Sequence, residues 1–418
     1  VNATPAKRTR FDGWLAGICL SRVFNGLVFM SYAAALPVLQ REWSMSGAQA
    51  GAVAGGFQIG YAVSLVFFSS LADRVSPKRI YLWSMFAAGL SALGFAFFAR
   101  DFASALAFHT ALGVSLGGTY TTGVMILAEQ YDARSRGMAV GVFIASTSCG
   151  YALSLLISGA ALPVGGYRLS FLLTCLGPLL GWAIAGWTLR STVVPAARRR
   201  KGQRFTREVL THRPTMLLIW GYVFHNWELL GMWAWTPAFL TACLALAGAT
   251  HTDAAGSGAF VTALFHGMGL LASFSMGALS DRVDRTVLML ALAATSMSCS
   301  FVFGWTVNWP LAWVMGIGVI YAFSSLGDSP ILSAALTETV DSAYLGAALG
   351  LRSLLGFGAA ALAPMVFGVV LDWTNPSAGG QVLYTAWGWA FSILGLGGSG
   401  AVWAACRFRK AHRPIIAG

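Results

Sequence analysis

Apolar runs of about twenty residues follow one another along almost the whole chain, separated by short polar or charged segments. Roughly 20 apolar residues carry an α-helix across the hydrocarbon core of a bilayer, and on that length the pattern predicts twelve spans. In the first half they fall near residues 13–37, 48–71, 78–99, 103–129, 137–160 and 168–189. In the second they fall near 215–240, 257–280, 286–306, 310–336, 345–371 and 382–405. The expected fold class is an all-α membrane protein: a six-helix bundle over 1–190, a basic linker over 191–213 and a second six-helix bundle over 214–418.

Composition supports lipid as the solvent. Charged residues make up 10% of the chain, hydrophobic ones 57%, and the mean hydropathy is +0.68, whereas a soluble domain carries roughly 25% charged residues. The net charge of +12 would suggest nucleic acid if it formed one patch. It does not: Lys7, Arg8, Arg10, Arg74, Lys78, Arg79, Arg134, Arg136, the stretch Arg190 to Arg213, Arg282, Arg285, Arg407, Arg409, Lys410 and Arg413 occupy every second connecting segment. Arg41, Arg100 and Arg168 stand on the other side, and Arg22 and Arg352 lie inside spans. That asymmetry follows the positive-inside rule. It puts both termini in the cytoplasm of a bacterial inner membrane, and no nucleic-acid partner is expected.

The run from Gly13 is too long for a signal-peptide core and leads into further spans, so it reads as the first helix. The six Cys all lie in apolar runs without C-x-x-C or Cys/His spacing, which implies buried thiols and neither disulfides nor a metal site. There is no G-x-x-x-x-G-K-[ST] loop, no H-E-x-x-H and no G-x-S-x-G. No cofactor and no enzymatic activity are expected.

The halves repeat. Ser69-Ser70-Leu71-Ala72-Asp73-Arg74-Val75-Ser76-Pro77-Lys78-Arg79 is echoed by Gly277-Ala278-Leu279-Ser280-Asp281-Arg282-Val283-Asp284-Arg285, an offset of 208 residues between Asp73 and Asp281. Leu127-Ala128-Glu129-Gln130-Tyr131-Asp132, with Gly137, Gly141 and Gly159, returns as Leu336-Thr337-Glu338-Thr339-Val340-Asp341 with Gly346, Gly350 and Gly368. Phe57-Gln58 aligns with Phe265-His266. The small-Leu-Asp-Arg loop and its echo resemble the loops between helices 2 and 3 and between helices 8 and 9 of the major facilitator superfamily. The resemblance implies two parallel six-helix repeats, substrate near the midplane between them, and alternating access. It also implies an inner latch, in which Asp73 and Asp281 neutralise the N-termini of helix 11 near Leu345 and of helix 5 near Gly137. Arg74, Lys78, Arg79, Glu129, Arg282 and Glu338 belong to the same charged layer. Ser69 and Ser76 stand where the family usually has Gly.

Departures from the family narrow the solute. His109 replaces the helix-4 Arg of many proton-coupled members, and Cys149-Gly150-Tyr151-Ala152 replaces the Gly-Pro pair of drug/proton antiporters. The paired arginines of the nitrate-permease branch are absent; Gln58 and His266 stand there instead.

Ionisable residues inside spans are costly in lipid and usually face a cavity. Arg22 lies about 13 Å into the first helix at 1.5 Å per residue. It is a candidate anion contact, or else part of a structural ion pair. His225-Asn226-Trp227-Glu228 lies midway through a span. Glu228, Asp328 and His225 are the candidate proton carriers; the alternatives are Glu228 locked to Arg22 or a backbone group, and Asp328 satisfying backbone freed by a bend. Ser324-Ser325-Leu326-Gly327-Asp328-Ser329-Pro330 reads as an interrupted helix. Asn25, Tyr32, Gln58, Tyr61, His109, Trp227, His266 and Arg352 are candidate cavity residues beside Arg22 and His225. Trp233 and Trp235 read as an interfacial aromatic belt.

The expected function is secondary transport of a small solute, an organic anion such as a carboxylate, coupled to protons, by a monomer in the bilayer. Proton-driven efflux of hydrophobic or cationic compounds stays open, as does a transporter-like sensor or assembly subunit.

Overall fold

The computed structural model describes residues 8–72, 74–132, 135–195, 207–341, 344–376 and 384–412. Lys7, Asp73, Arg134, Arg413 and the centre of the basic linker, from Arg198 to Arg204, lie outside the described residues.

The described chain is helical. The first half contains α1 (Gly13–Gly26), α2 (Ser31–Glu42), α3 (Gly47–Leu71), α4 (Pro77–Phe98), α5 (Phe102–Gln130) and α6 (Arg136–Thr188). A short α7 (Arg207–Thr211) precedes the second half. That half contains α8 (Arg213–Leu246), α9 (His251–Ser280), α10 (Arg285–Phe303), α11 (Leu311–Thr339), α12 (Leu345–Thr374) and α13 (Gly388–His412). Side chains fix the starts. Asp12 accepts from the Leu15 amide, and Ser46 and Gln49 form a capping box. Asp284 accepts from the Thr286 and Val287 amides. Each satisfies an amide that the first turn leaves without an intrahelical acceptor.

Eleven apolar segments among the described residues are long enough to cross a membrane. One of them, α6, has 53 residues, about 80 Å at 1.5 Å per residue and more than twice a hydrocarbon core of about 30 Å. It doubles back at Gly165 and Gly166; Gly166 has φ +63°, which a side chain would strain. The result is twelve crossings in two six-helix bundles.

The interruption lies elsewhere than the sequence suggests. α11 runs unbroken through Gly327 and Pro330. The break is in the first span, between Gly26 and Ser31, and α2 then continues through Pro37. Two carbonyls released there are taken up by hydroxyls: Ser154 donates to Leu27 (2.5 Å) and Ser31 to Val28 (3.1 Å). Non-helical backbone at this depth is tolerated where protein lines it.

At the end of the molecule remote from the termini, here the far face, the halves meet along α3 and α12. Gly51 lies against the Pro364 carbonyl, Gly55 against that of Ala361 and Gly47 against Gly368, each without room for a Cβ. The Asp372 carboxylate accepts from the Gly47 amide (2.7 Å), the Ala48 amide (2.9 Å) and the Tyr384 hydroxyl (2.8 Å). Gln40 donates to Tyr384 from the first half (3.3 Å). At the terminal face Gly137, Gly141 and Gly350 face open space.

Candidate functional site

The candidate site is built outward from Arg22. α1 carries it into the interior, where it is 6% exposed. Its Nε donates to Thr147 on α6 (2.8 Å), one terminal nitrogen donates to Thr119 on α5 (2.7 Å), and the guanidinium lies over the Phe143 ring. Two hydroxyls from different helices therefore hold the fork in place, with capacity left over from its five donors. Tyr61, Tyr120 and Tyr151 lie within its electrostatic reach.

Arg352 approaches from α12. It stacks at 3.9 Å on Tyr222, donates to Ser333 (3.1 Å), and Tyr120 lies within reach of both arginines. Among the described residues neither arginine has a carboxylate within ion-pair distance. An unpaired charge in a low-dielectric interior is costly, so this pair gives the centre a fixed positive field.

Toward the far face lies a small chamber with a largely aromatic wall. The break between α1 and α2, with α2, α3, α5, α8 and α12, contributes Phe29, Tyr32, Phe57, Gln58, His109, Trp233 and Pro364 to its wall. Beside it Phe29 stacks on Tyr151 (4.1 Å between centroids) and Trp233 packs on His266 (4.8 Å). Gln58 Oε1, His109 Nε2 and His266 Nε2 are buried without a hydrogen-bond partner. Asn25 Oδ1 is likewise unpartnered, on α1 one turn beyond Arg22. Tyr32 spends its hydroxyl on the Ala50 carbonyl (3.0 Å), so it offers only its ring.

The acidic candidates sit inside the second half. His225 Nδ1 lies 2.9 Å from Asp328 Oδ1, within ion-pair distance but not aligned as a hydrogen bond. Its Nε2 meets the Ser329 hydroxyl at 2.8 Å. Glu228 faces α10: Ser296 (2.8 Å) and Ser300 (2.6 Å) both donate to its Oε1, and Ser300 touches the Tyr321 hydroxyl. Glu228 is therefore locked, but to serine hydroxyls and not to Arg22 or to a backbone group. Three other expectations change. Trp227 turns away from the cavity and donates to the Ile393 carbonyl on α13 (3.2 Å); two positions from His225, it points to the opposite side of α8. Trp233 belongs to the chamber wall instead of an interfacial belt. Trp235 is fully buried and donates to the Pro364 carbonyl (2.9 Å).

Among the described residues, the ion pairs of the charged layer at the terminal face include a cluster within the second half. Asp281, 73% exposed, pairs with Arg285 (3.0 Å), which also holds Glu338 (2.5 Å). Lys78 caps the end of α6 at the Leu189 (2.5 Å) and Thr192 (3.1 Å) carbonyls, where a cation complements the helix dipole. Arg74, Arg79, Glu129 and Arg282 are exposed. In this conformation the halves are joined at the far face through α3 and α12.

Asp372, Thr119, Thr147, Tyr151 and the chamber residues Phe29 and Phe57 escape a reading by sequence. The hydroxyls and rings look like ordinary span residues, and Asp372 looks like the end of a helix.

Twelve membrane-length helices in two six-helix bundles have the build of a membrane transporter. Residues 18–252, more than half of the chain, match the family described as Major Facilitator Superfamily, and the chain belongs to it. It is 23% identical over 379 residues to the probable 4-methylmuconolactone transporter of Cupriavidus pinatubonensis, covering 83% of this chain and 80% of that one. It is 27% identical over 160 residues to the niacin transporter NiaP of Acinetobacter baylyi, covering 38% and 36%. Among solved structures, nucleoside transporter NupG superposes with a TM-score of 0.74 at 14% identity, over 96% of this chain and 100% of that one. At that identity the likeness concerns the fold alone.

Proposed function

We propose that this protein is a secondary transporter of small cyclic monocarboxylates, coupled to protons. The observation that carries the reading is the pair Arg22 and Arg352, both on membrane-spanning helices and, among the described residues, with no carboxylate in ion-pair distance. A buried cation kept free is ready for an anion, and a guanidinium fork suits a carboxylate bidentately. Niacin, named for one relative, is a pyridine carboxylate, and the chamber beside Arg22 supplies aromatic faces for such a ring.

The bundles 1–190 and 214–418 would rock about the cargo, joined by the basic linker 191–213. In the opposite conformation Asp73, Arg74, Lys78, Arg79, Glu129, Asp281, Arg282 and Glu338 close the terminal face, which the charge asymmetry assigns to the cytoplasm of a bacterial inner membrane. The proton rides on the His225–Asp328 pair. Ser329 and Ser333, one turn apart on α11, lead from His225 to Arg352, so the anion site and the proton site share one helix face. The positive centre opposes cationic cargo and so disfavours drug efflux.

The test is proton movement into proteoliposomes when benzoate is added, with wild type beside Arg22→Ala. Benzoate-driven proton flux that Arg22→Ala abolishes is the expected result. Proton flux driven by lipophilic cations and not by benzoate would overturn it.

A further inference from the structure

The chamber wall holds two acceptors with nothing to accept from. His109 Nδ1 lies 3.1 Å from the Val53 carbonyl. A carbonyl can only accept, so Nδ1 carries the hydrogen, and in the neutral imidazole Nε2 is left as an acceptor. That atom is buried without a partner, as is Gln58 Oε1, in a wall otherwise built from Phe29, Tyr32, Phe57 and Trp233. Tyr32, Phe57 and Phe95 pack around the imidazole and fix its orientation. Buried acceptors without donors are unfavourable. Two in one apolar chamber form a complementary site for a donor.

Their placement along the helices adds a length. Thr119, which holds the Arg22 guanidinium, and His109 are ten residues apart on α5, about 15 Å at 1.5 Å per residue. Gln58 lies one turn from Tyr61 on α3, between the two levels. A cargo hydrogen-bonded at both levels would carry its carboxylate at one end and a donor at the other. The ends also differ in kind: Arg22 only donates, while Gln58 Oε1 and His109 Nε2 only accept.

We propose that His109 and Gln58 are specificity-determining residues which select cargo bearing a hydrogen-bond donor on its ring, remote from the carboxylate. The preferred class is a hydroxylated cyclic monocarboxylate over its unsubstituted or etherified counterpart. This rests on the carboxylate reading given above.

The experiment is equilibrium binding to the purified full chain of benzoate, the hydroxybenzoates and the matching methoxybenzoates, which keep the oxygen but lose the donor. A hydroxybenzoate is expected to bind about tenfold or more tightly than both benzoate and its methoxy ether. His109→Leu and, independently, Gln58→Leu should shrink that ratio toward one. Equal binding of hydroxy and methoxy compounds to wild type, with Arg22 dependence intact, overturns the selection and leaves the carboxylate reading standing. A ratio unchanged in both variants overturns the assignment to these residues. Absence of Arg22-dependent binding by every carboxylate overturns the carboxylate reading itself, and this inference with it.

Discussion

Asp372 and Gly47 lie on different halves of the molecule, yet the carboxylate oxygen of one is 2.7 Å from the amide nitrogen of the other. The second carboxylate oxygen takes the Ala48 amide at 2.9 Å. Two donors at the head of a 25-residue helix thus meet one full negative charge from the last turn of α12. Charge, dipole and hydrogen bonding all act in the same direction.

Removing that carboxylate should loosen the far face. Hydrogen bonds to a charged group contribute about 1.5–3 kcal/mol, which is roughly a ten- to hundredfold change in a conformational equilibrium. Spin labels at Glu42 and Ala249, on opposite halves, should report a longer-distance population in Asp372→Ala than in wild type. Tyr384→Phe, which removes one hydroxyl from Asp372, should show a smaller shift. Identical distance distributions in all three proteins would mean that the carboxylate has no part in closure.

Arg22 should not be replaceable by lysine. The guanidinium reaches Thr147 through Nε and Thr119 through a terminal nitrogen at once; an ammonium is a single point with no planar fork. Arg22→Lys keeps the charge, so a purely electrostatic role predicts near-normal benzoate binding. The geometry predicts a loss of about tenfold or more, equivalent to about 1.4 kcal/mol. Thr119→Val should lower affinity by a smaller factor because the fork loses one of two supports.

Asp284 gives a stability prediction with a defined pH window. Hydrogen bonds from the Thr286 hydroxyl, and then from the Thr286 and Val287 amides, hold its carboxyl below the ordinary value of 3.8. A depressed folded value means that the stabilisation is complete above the unfolded value and is lost as pH falls through the folded one. Asp284→Ala should therefore lower thermal stability in detergent at pH 5 to 8 by about 1 kcal/mol, typical for an N-cap. The gap from wild type should close below about pH 4. A gap independent of pH would mean that shape at the cap matters more than charge.

The fold was legible because lipid enforces simple rules: length sets the spans, loop charge suggests orientation, and the 208-residue offset exposes the repeat. Arg22 stood out for the same reason, since a charge inside a span has few explanations. Direction around a helix was not legible. Trp227 and His225 are two residues apart, yet one faces α13 and the other Asp328. Trp233 and Trp235, similarly spaced, divide between the chamber wall and the far-face seam. In a soluble helix the polar side reveals such angles; here every side is apolar and the signal vanishes. The broken first span was hidden too, because its released carbonyls are satisfied by Ser154 from a distant helix and no local Gly-Pro pair marks it.

Angle also decides between the two acidic candidates for coupling. Glu228 and Asp328 are both buried in the second half. Glu228 looks toward α10, where Ser296 and Ser300 donate to it at 2.8 and 2.6 Å, and among the described residues it has no ion-pair partner. Asp328 meets His225, whose other nitrogen contacts Ser329, and Ser333 one turn on carries Arg352. A proton gained or lost at the His225–Asp328 pair is thereby placed to alter the charge beside the cargo, whereas Glu228 has no such chain of contacts to Arg352 among the described residues. Asp328→Asn should abolish uphill, proton-driven accumulation of carboxylate while sparing downhill exchange across the same liposomes. Glu228→Gln, which retains an acceptor for one serine, should leave accumulation within about a factor of three and chiefly lower stability by about 1–3 kcal/mol through the disturbed buried hydrogen bonds. If Glu228→Gln uncouples transport and Asp328→Asn does not, the proton path runs through α10 and the assignment to α11 is wrong.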